Sequence, residues 1–193
     1  MAQAGEPPRV KLICGMISAR RELFDRVTGL LGDVFGPVDL FSEVMDFDLT
    51  HYYDEQMGAP LYRQFVSFEP LVRPDVLAEA KLKTNRIEAE LARDVHDRPR
   101  RPINLDPGYV ELAKLVLASM KNFSHRIYLG RGVYGEVTLM FRDGRWKALP
   151  WTFPDYASCR YDPFLIEVRG RLRDRPANTT TLRRLKRTYA AGR

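Results

Sequence analysis

The glycine-rich stretch LGRGVYGEV, residues 129–137, has a spacing that could serve chemistry. Gly130, Gly132, Gly135 and Val137 match the G-x-G-x-x-G-x-V pattern that protein kinases place over the phosphates of ATP. A kinase also needs a V-A-I-K lysine, an H-R-D loop and a D-F-G motif, and the sequence does not contain these in order. A P-loop of the form G-x-x-x-x-G-K-[ST] is missing as well. The glycines therefore indicate a tight hairpin rather than a phosphate loop of the kinase type.

The residues that follow these glycines alternate between apolar and polar side chains. A period of two predicts a strand over 133–142, whereas a dinucleotide-binding fold needs its glycines to open a helix. Gly130-Arg131-Gly132 and Asp143-Gly144 supply the turns on either side. We therefore expect an antiparallel meander with strands over 126–129, 133–142 and 146–149.

One face of this meander is predicted to be polar. Its members are Arg126, Tyr128, Tyr134, Glu136 and Thr138. The neighbouring His125 could exchange a proton near neutral pH, so His125 and Glu136 are the candidate acid–base groups if a reaction occurs. Arg126, Tyr128 and Thr138 are candidate ligand contacts. The alternative is a solvated sheet face with a cross-strand Arg–Glu pair.

A second group of candidates surrounds the sequence Asn104-Leu105-Asp106-Pro107-Gly108. Asp106 followed by proline is typical of a helix N-cap, which predicts a helix from there through ELAKLVLASM, residues 111–120. The amide groups of that helix start could bind an anion, with Asn104 and Asp106 beside them. Lys114, inside the predicted helix, could snorkel to water or meet a buried carboxylate. Capping alone also explains the Asp-Pro-Gly sequence.

Three further segments carry polar or aromatic groups. The loop LTHYYDEQMGAP, residues 49–60, offers Thr50 and Tyr53 as candidate ligand contacts. Asp46 and Asp48 could hold Mg²⁺ or serve as charges on a sheet edge, and no His/Cys spacing fits zinc, so we predict no metal site. Lys81, Asn85 and Glu88 form a stripe that a solvated helix edge explains. The stretch PWTFPDY, residues 150–156, could wall a pocket or cover the sheet.

The remaining pattern supplies the elements that must position these groups. Apolar runs predict strands over 10–17, 38–47, 63–68 and 103–105. Helical spacing predicts helices over 23–35, ended by Gly36-Pro37, and from Pro74 through Leu91. The succession β-α-β-β-α-β is the ferredoxin-like one, here extended by a helix and the meander. We therefore expect a disordered N-terminus over 1–9, a single α+β domain over 10–172 and a basic tail over 173–193.

Composition limits the partners of this chain. Of 193 residues, 45% are hydrophobic, and no apolar run reaches the length of a membrane span. The net charge is +6, and most of the basic excess lies near the C-terminus, where it could contact nucleic acid. The N-terminus has no secretory pattern, and the two cysteines, Cys14 and Cys159, make no disulfide framework. These features favour the cytoplasm and predict no particular cofactor or oligomeric state.

Several dense phrases spread over 10–171 carry a family resemblance: FDLTHYYDEQMG, FVSFEPLV, AEAKLKTNRIE, INLDPGYVELAKLVLAS, KNFSHRIYLGRGVYGEVTL and ALPWTFPDY. Together they resemble the bacterial domain-of-unknown-function family catalogued under the number 4416, members of which are sometimes labelled GTP-binding. The resemblance implies a cytosolic bacterial protein. Its polar positions here are Asp48, Thr50, Tyr52, Tyr53, Lys81, Asn85, Asn104, Asp106, Lys114, His125, Arg126, Tyr128, Glu136, Thr138, Trp151 and Asp155.

We therefore expect a polar pocket for a small anionic or phosphorylated ligand, with a nucleotide as one such ligand. Arg126 and Lys114 would meet the anion in this hypothesis. One alternative is an RNA-associated ferredoxin-like module that stacks bases on tyrosines and uses the basic tail for phosphate contacts. The other is a scaffold without a ligand.

Overall fold

The computed structural model describes residues 5–93 and 101–174. The start of the predicted N-terminal segment and the basic tail from 175 onward lie outside these residues. The strands are β1 (Val10–Ser18), β2 (Val38–Phe41), β3 (Met45–Asp46), β4 (Tyr62–Val72), β5 (Asn104–Val110), β6 (Lys114–Ser119), β7 (Ile127–Gly130), β8 (Val133–Arg142) and β9 (Arg145–Ala148). The helices are α1 (Leu23–Phe35), α2 (Asp54–Met57), α3 (Leu77–Arg93), α4 (Pro154–Ala157) and α5 (Asp162–Arg173), with a 3₁₀ turn at Pro74–Val76 before α3.

The described strands form one nine-stranded antiparallel sheet, so the predicted α+β class is confirmed. The strand order is β2-β4-β1-β5-β6-β8-β7, while β3 also pairs with β4 and β9 pairs with β8. The predicted meander is present as β7, β8 and β9. None of the helices within the described ranges is long and apolar enough to cross a bilayer.

The sheet is covered on both faces, which explains why β1 is buried along its whole length. Helices α1 and α3 pack on one face through a cluster that includes Phe24, Leu31 and Ile87. Helix α5 packs on the other face through Phe164, Leu165 and Val168. Each large apolar side chain buried in these layers contributes about 1.5–3 kcal/mol to stability. Helix α5 was not predicted from the sequence.

The predicted helix over 106–120 is wrong, because this segment forms the hairpin of β5 and β6. Both strands lie inside a sheet that is covered on its two faces, and β6 has four consecutive buried residues. An apolar run of this kind has no alternation, so its pattern cannot separate a buried strand from a helix. Asp106 and Pro107 lie within β5 and cap no helix. The anion site predicted at that helix start is therefore wrong as well.

The strand predicted over 38–47 is also corrected. Two short strands, β2 and β3, take its place, and both pair with β4. The Ser42 hydroxyl lies between them and accepts a hydrogen bond from the Phe65 backbone N–H at 2.8 Å. A side chain thus replaces a ladder bond where the pairing is interrupted.

Candidate functional site

Strands β5 and β6 separate at one end of the sheet. They pair over Gly108–Val110 and Leu115–Leu117, but β5 continues to Asn104 along β1, while β6 continues to Ser119 along β8. Pro107 lies next to the last paired residue and has no N–H group to give to a ladder. Gly108 marks the close end of the gap, since a Cβ atom there would lie 2.5 Å from Leu117 Cδ2 and 2.6 Å from Val116 O.

Side chains of α3 bind the strand edge that β6 leaves open. Glu88 Oε1 accepts a bond from Leu105 N at 2.8 Å, and Lys81 Nζ donates to Leu105 O at 2.7 Å. Both backbone groups of Leu105 are therefore satisfied, as buried peptide groups require. Burial raises the pKa of Glu88, although Lys81 and Arg101 act in the opposite direction. The interpretation of Lys81 and Glu88 as a solvated helix edge is wrong, because Lys81 is buried.

A cavity of about 450 Å³ lies in this gap, and we call it the strand-gap cavity. Its walls come from both faces of the sheet. Lys81 and Asn85 belong to α3, while Asp155 and Tyr156 belong to α4 on the opposite side. Its volume falls in the range of small-molecule sites, about 300–1,000 Å³.

The inner wall is built around the buried guanidinium of Arg63. Its Nη1 atom bonds Asp155 Oδ2, and its Nη2 atom donates to Asp106 Oδ2 at 3.0 Å. Tyr161 adds a hydroxyl bond to Asp155 Oδ2 at 3.1 Å. Burial opposes the charge of Arg63, but the neighbouring Tyr156 and Asp155 raise its pKa well above the usual value. Arg63 therefore remains a fixed cation that holds two carboxylates in place.

The opposite wall carries basic groups around the end of β6. Arg126 Nη1 donates to Ser119 Oγ at 3.0 Å and to Lys121 O at 2.9 Å. The Lys121 ammonium bonds the Tyr52 hydroxyl and lies 4.6 Å from the centre of the Tyr52 ring. This bond, together with the charge of Lys121, lowers the pKa of Tyr52. We call Ser119, Lys121 and Arg126 the basic end of the cavity.

Glu136 is a buried carboxylate beside this basic end, and its three neighbours satisfy it. Arg126 Nε donates to Glu136 Oε2 at 2.7 Å, and His125 Nε2 lies 3.1 Å from the same oxygen. Thr138 donates its hydroxyl to Glu136 Oε1 at 3.3 Å. Glu136 therefore fixes the orientation of Arg126.

The predicted site residues divide into two groups. Those that line the strand-gap cavity are Thr50, Tyr53, Asn104, Asp106, Arg126 and Glu136. Lys114, His125, Tyr128 and Thr138 do not line it. Lys114 pairs with Glu111 at 2.9 Å at the start of β6, because the predicted helix around it does not exist. Tyr128 is 59% exposed on the edge strand β7, where its ring packs against Tyr134.

His125 and Thr138 lie one contact behind the cavity, because both bind Glu136. The His125 ring stacks on Trp151, with 5.3 Å between centroids and an interplanar angle of 8°. Asp48, considered as a magnesium ligand, instead pairs with Arg160 at 2.7 Å. No group of three or more His, Cys, Asp or Glu side chains in residues 5–93 and 101–174 could hold a metal ion.

Several cavity residues were not predicted as site residues: Arg63, Lys81, Arg101, Lys121 and Tyr156. Arg63 and Tyr156 stand in segments that the sequence marks as strand and cover, so only long-range pairing reveals them. Arg101 lies in the charged, proline-bearing sequence RDVHDRPRRP, residues 93–102, and it bonds Glu88 Oε2 at 3.1 Å. The family phrase AEAKLKTNRIE contains Lys81 and Asn85, so the resemblance is the sequence signal that could have identified these two cavity residues of α3.

Comparison with known protein families identifies the family of this chain. Residues 8–171 match the family described as Domain of unknown function (DUF4416). The chain belongs to the DUF4416 family. The resemblance seen in the sequence phrases is confirmed, and the DUF4416 match includes every described residue that lines the strand-gap cavity. Comparisons with curated proteins and with solved structures give no match.

Proposed function

We propose that this protein binds a small anionic ligand, such as a phosphate ester or a nucleotide, in the strand-gap cavity. The observation that carries the proposal is the charge of the walls. Five basic side chains line the cavity, Arg63, Lys81, Arg101, Lys121 and Arg126, against the three carboxylates Asp106, Glu136 and Asp155. An excess of positive charge in a concave site attracts an anion.

The basic end is the part of the cavity that favours the anion. Arg63 is held by Asp155 and Asp106, whereas Lys121 has no carboxylate partner among the described residues. Ser119 and Arg126 stand next to Lys121 and are held in place by mutual hydrogen bonds. Hydrogen bonds to a charged group contribute about 1.5–3 kcal/mol each, so this end can select a phosphate group.

Aromatic side chains allow the ligand to carry a planar group. Tyr52, Tyr53 and Phe153 all line the cavity, and Tyr52 meets Tyr53 edge to face with 4.9 Å between centroids. Tyr53 has a raised pKa, mainly because it is buried, so its phenol stays neutral beside the ligand. A nucleobase could stack on such rings, which is why nucleotides belong to the proposed ligand class.

We also propose that β1, β2, β4 and β5, with helices α1 and α3, form a ferredoxin-like core. The order β2-β4-β1-β5 and the all-antiparallel pairing support it. The alternative of an RNA-associated module depends on basic residues that lie outside the described part of the chain, so it stays a prediction.

The test is calorimetric titration of the full chain with adenosine 5′-monophosphate, adenosine and inorganic phosphate. We expect the monophosphate to bind more tightly than adenosine. Lys121→Met should weaken the binding of adenosine 5′-monophosphate about tenfold or more, because the variant loses one charged hydrogen bond to the phosphate. Lys83→Met is the matched control, because Lys83 pairs with Glu79 on the exposed side of α3 at 3.1 Å. The proposal fails if no phosphate compound binds, or if Lys121→Met and Lys83→Met behave alike.

A further inference from the structure

The inner part of the strand-gap cavity contains polar groups whose hydrogen-bonding capacity is unused. The Tyr156 residue is only 3% exposed, and its hydroxyl has no hydrogen-bond partner in the described part of the chain. The Asn85 side chain also lines the cavity, where it is half-buried, and it makes no hydrogen bond to another described residue. Asp106 Oδ1 has Lys81 Nζ as its neighbour at 3.8 Å, which is beyond hydrogen-bond distance. A buried hydroxyl left in this state is costly unless a ligand completes it, and the half-buried Asn85 amide and Asp106 carboxylate can bind the same ligand.

The charges at this inner part balance, in contrast with the basic end. Asp106 and Asp155 stand against Arg63 and Lys81: Arg63 bonds both carboxylates, and the Lys81 ammonium lies 3.8 Å from Asp106 Oδ1. A second anionic group would meet two fixed carboxylates here and would be repelled. The inner part therefore suits an uncharged polar portion of the ligand.

The hydrogen-bonding groups left without a partner indicate the chemistry of the uncharged part of the ligand. A carboxylate oxygen only accepts hydrogen bonds, so Asp106 Oδ1 calls for an O–H or N–H donor. The Asn85 amide can donate and accept, and the Tyr156 hydroxyl can do both as well. Burial raises the pKa of Tyr156 well above its usual value, so this hydroxyl keeps its proton. An alcohol donates through hydrogen and accepts through oxygen, and vicinal alcohols match such a mixed set.

We propose that the ligand is a hydroxylated phosphate ester, whose phosphate meets the basic end and whose hydroxyl groups bind Asp106, Asn85 and Tyr156. This inference rests on the proposed function and adds the chemistry of the ligand's body. Free sugar phosphates and the ribose of nucleotides share that chemistry.

Two pairs of probes separate these sources by calorimetry on the full chain. Ribose 5-phosphate is compared with pentyl phosphate, and adenosine 5′-monophosphate with its 2′,3′-dideoxy analogue. In at least one pair, we expect the hydroxylated compound to bind about tenfold more tightly, because a ligand that lacks a hydroxyl leaves buried partners unpaired. The pair that shows the difference identifies the source.

A variant locates the effect. Asn85→Leu should weaken the hydroxylated compound about tenfold and leave its hydroxyl-free partner unchanged, since only the former uses the amide. Glu90→Leu, at an exposed position of α3, is the control for the helix itself. Binding of all four compounds without a hydroxyl preference overturns this inference alone. Binding of none of them overturns it together with the proposed function.

Discussion

The Arg63 guanidinium crosses strand β1 and reaches Asp106, with 3.0 Å between Nη2 and Oδ2. The strands that carry these two residues do not pair with each other, because β1 lies between them. The crossing passes over Gly15, where a Cβ atom would lie 3.4 Å from Arg63 Nη2 and 2.9 Å from Phe65 Cε1. Because Gly15 of β1 has no side chain, Arg63 of β4 can reach across β1 and form the inner wall of the cavity.

Replacing Arg63 with methionine should destabilise the protein by about 3–5 kcal/mol, because one partner of a buried ion pair is lost and its carboxylates remain. Asp155 is almost as buried as Arg63, at 5% and 3% side-chain exposure. Urea denaturation of both proteins measures the difference. Arg73→Met is the control, since Arg73 forms exposed ion pairs and its loss should cost about 0–1 kcal/mol. Equal losses for both variants would contradict the buried role of Arg63.

The effect of a substitution at Gly108 on stability distinguishes the observed hairpin from a helix over 106–120. Gly108→Ala should destabilise the protein by about 1–3 kcal/mol, because the new methyl group would collide with β6. In the first turn of a helix that starts at Asp106, the same change would be neutral or would stabilise by up to about 1 kcal/mol. Gly29→Ala is the internal comparison. Gly29 lies in α1, and an added Cβ atom there would meet nothing within 4 Å, so this substitution should stabilise the protein. Thermal unfolding of both variants gives the two signs.

The sequence predicted those parts of the fold whose pattern is local. Strand β1 is a run of apolar residues, and α1 repeats Phe24, Val27 and Leu31 at helical spacing before a glycine stop. The pattern of the β5–β6 hairpin predicts a helix instead, because burial on both faces removes the alternation that marks a strand. An apolar run therefore indicates burial in both β1 and β6, whereas the spacing in α1 also identifies the type of element.

The site could be predicted only in part, for a related reason. Asp106 and Glu136 stand out as acidic residues within strands, Arg126 comes directly before β7, and all three line the cavity. Arg63 does not stand out, since its role depends on a contact with Asp155 that spans 92 positions. Lys114 belongs to the segment that the sequence predicts as a helix, so the error in the fold extends to its predicted place in the site.

The ion pair of Lys11 and Asp39 should make stability depend on pH. Lys11 Nζ bonds Asp39 Oδ2, and Ser67 donates to Asp39 Oδ1 at 2.6 Å. Partial burial raises the pKa of Asp39, but the bonds from Lys11 and Ser67 outweigh it and the pKa is lowered. The unfolded chain then takes up the proton first as the pH falls, so the contribution is present above a pH of about 4 and lost below it.

Asp39→Asn should therefore lower the free energy of unfolding by about 1.5–3 kcal/mol at neutral pH, the size of a hydrogen bond to a charged group. The difference from the unsubstituted protein should shrink as the pH is lowered from 6 to 3. Urea denaturation across this range measures it. Asp33→Asn, at an exposed position near the end of α1, reports the effect of removing a surface charge. A difference for Asp39→Asn that stays constant down to pH 3 would contradict the assignment.

The contact between Lys121 and Tyr52 predicts a titration that reports on the basic end. The Lys121 hydrogen bond lowers the pKa of Tyr52, because the ammonium stabilises the phenolate. Lys121→Met should therefore raise the Tyr52 pKa toward the usual value of about 10. Carbon NMR of ¹³Cζ-labelled tyrosine follows the titration, and Tyr52→Phe assigns the signal. Lys83→Met should leave the midpoint unchanged, and an unchanged midpoint in Lys121→Met would contradict the contact.

A phosphate ester bound at Lys121 should also raise the Tyr52 pKa, because its negative charge opposes the phenolate and competes for the ammonium.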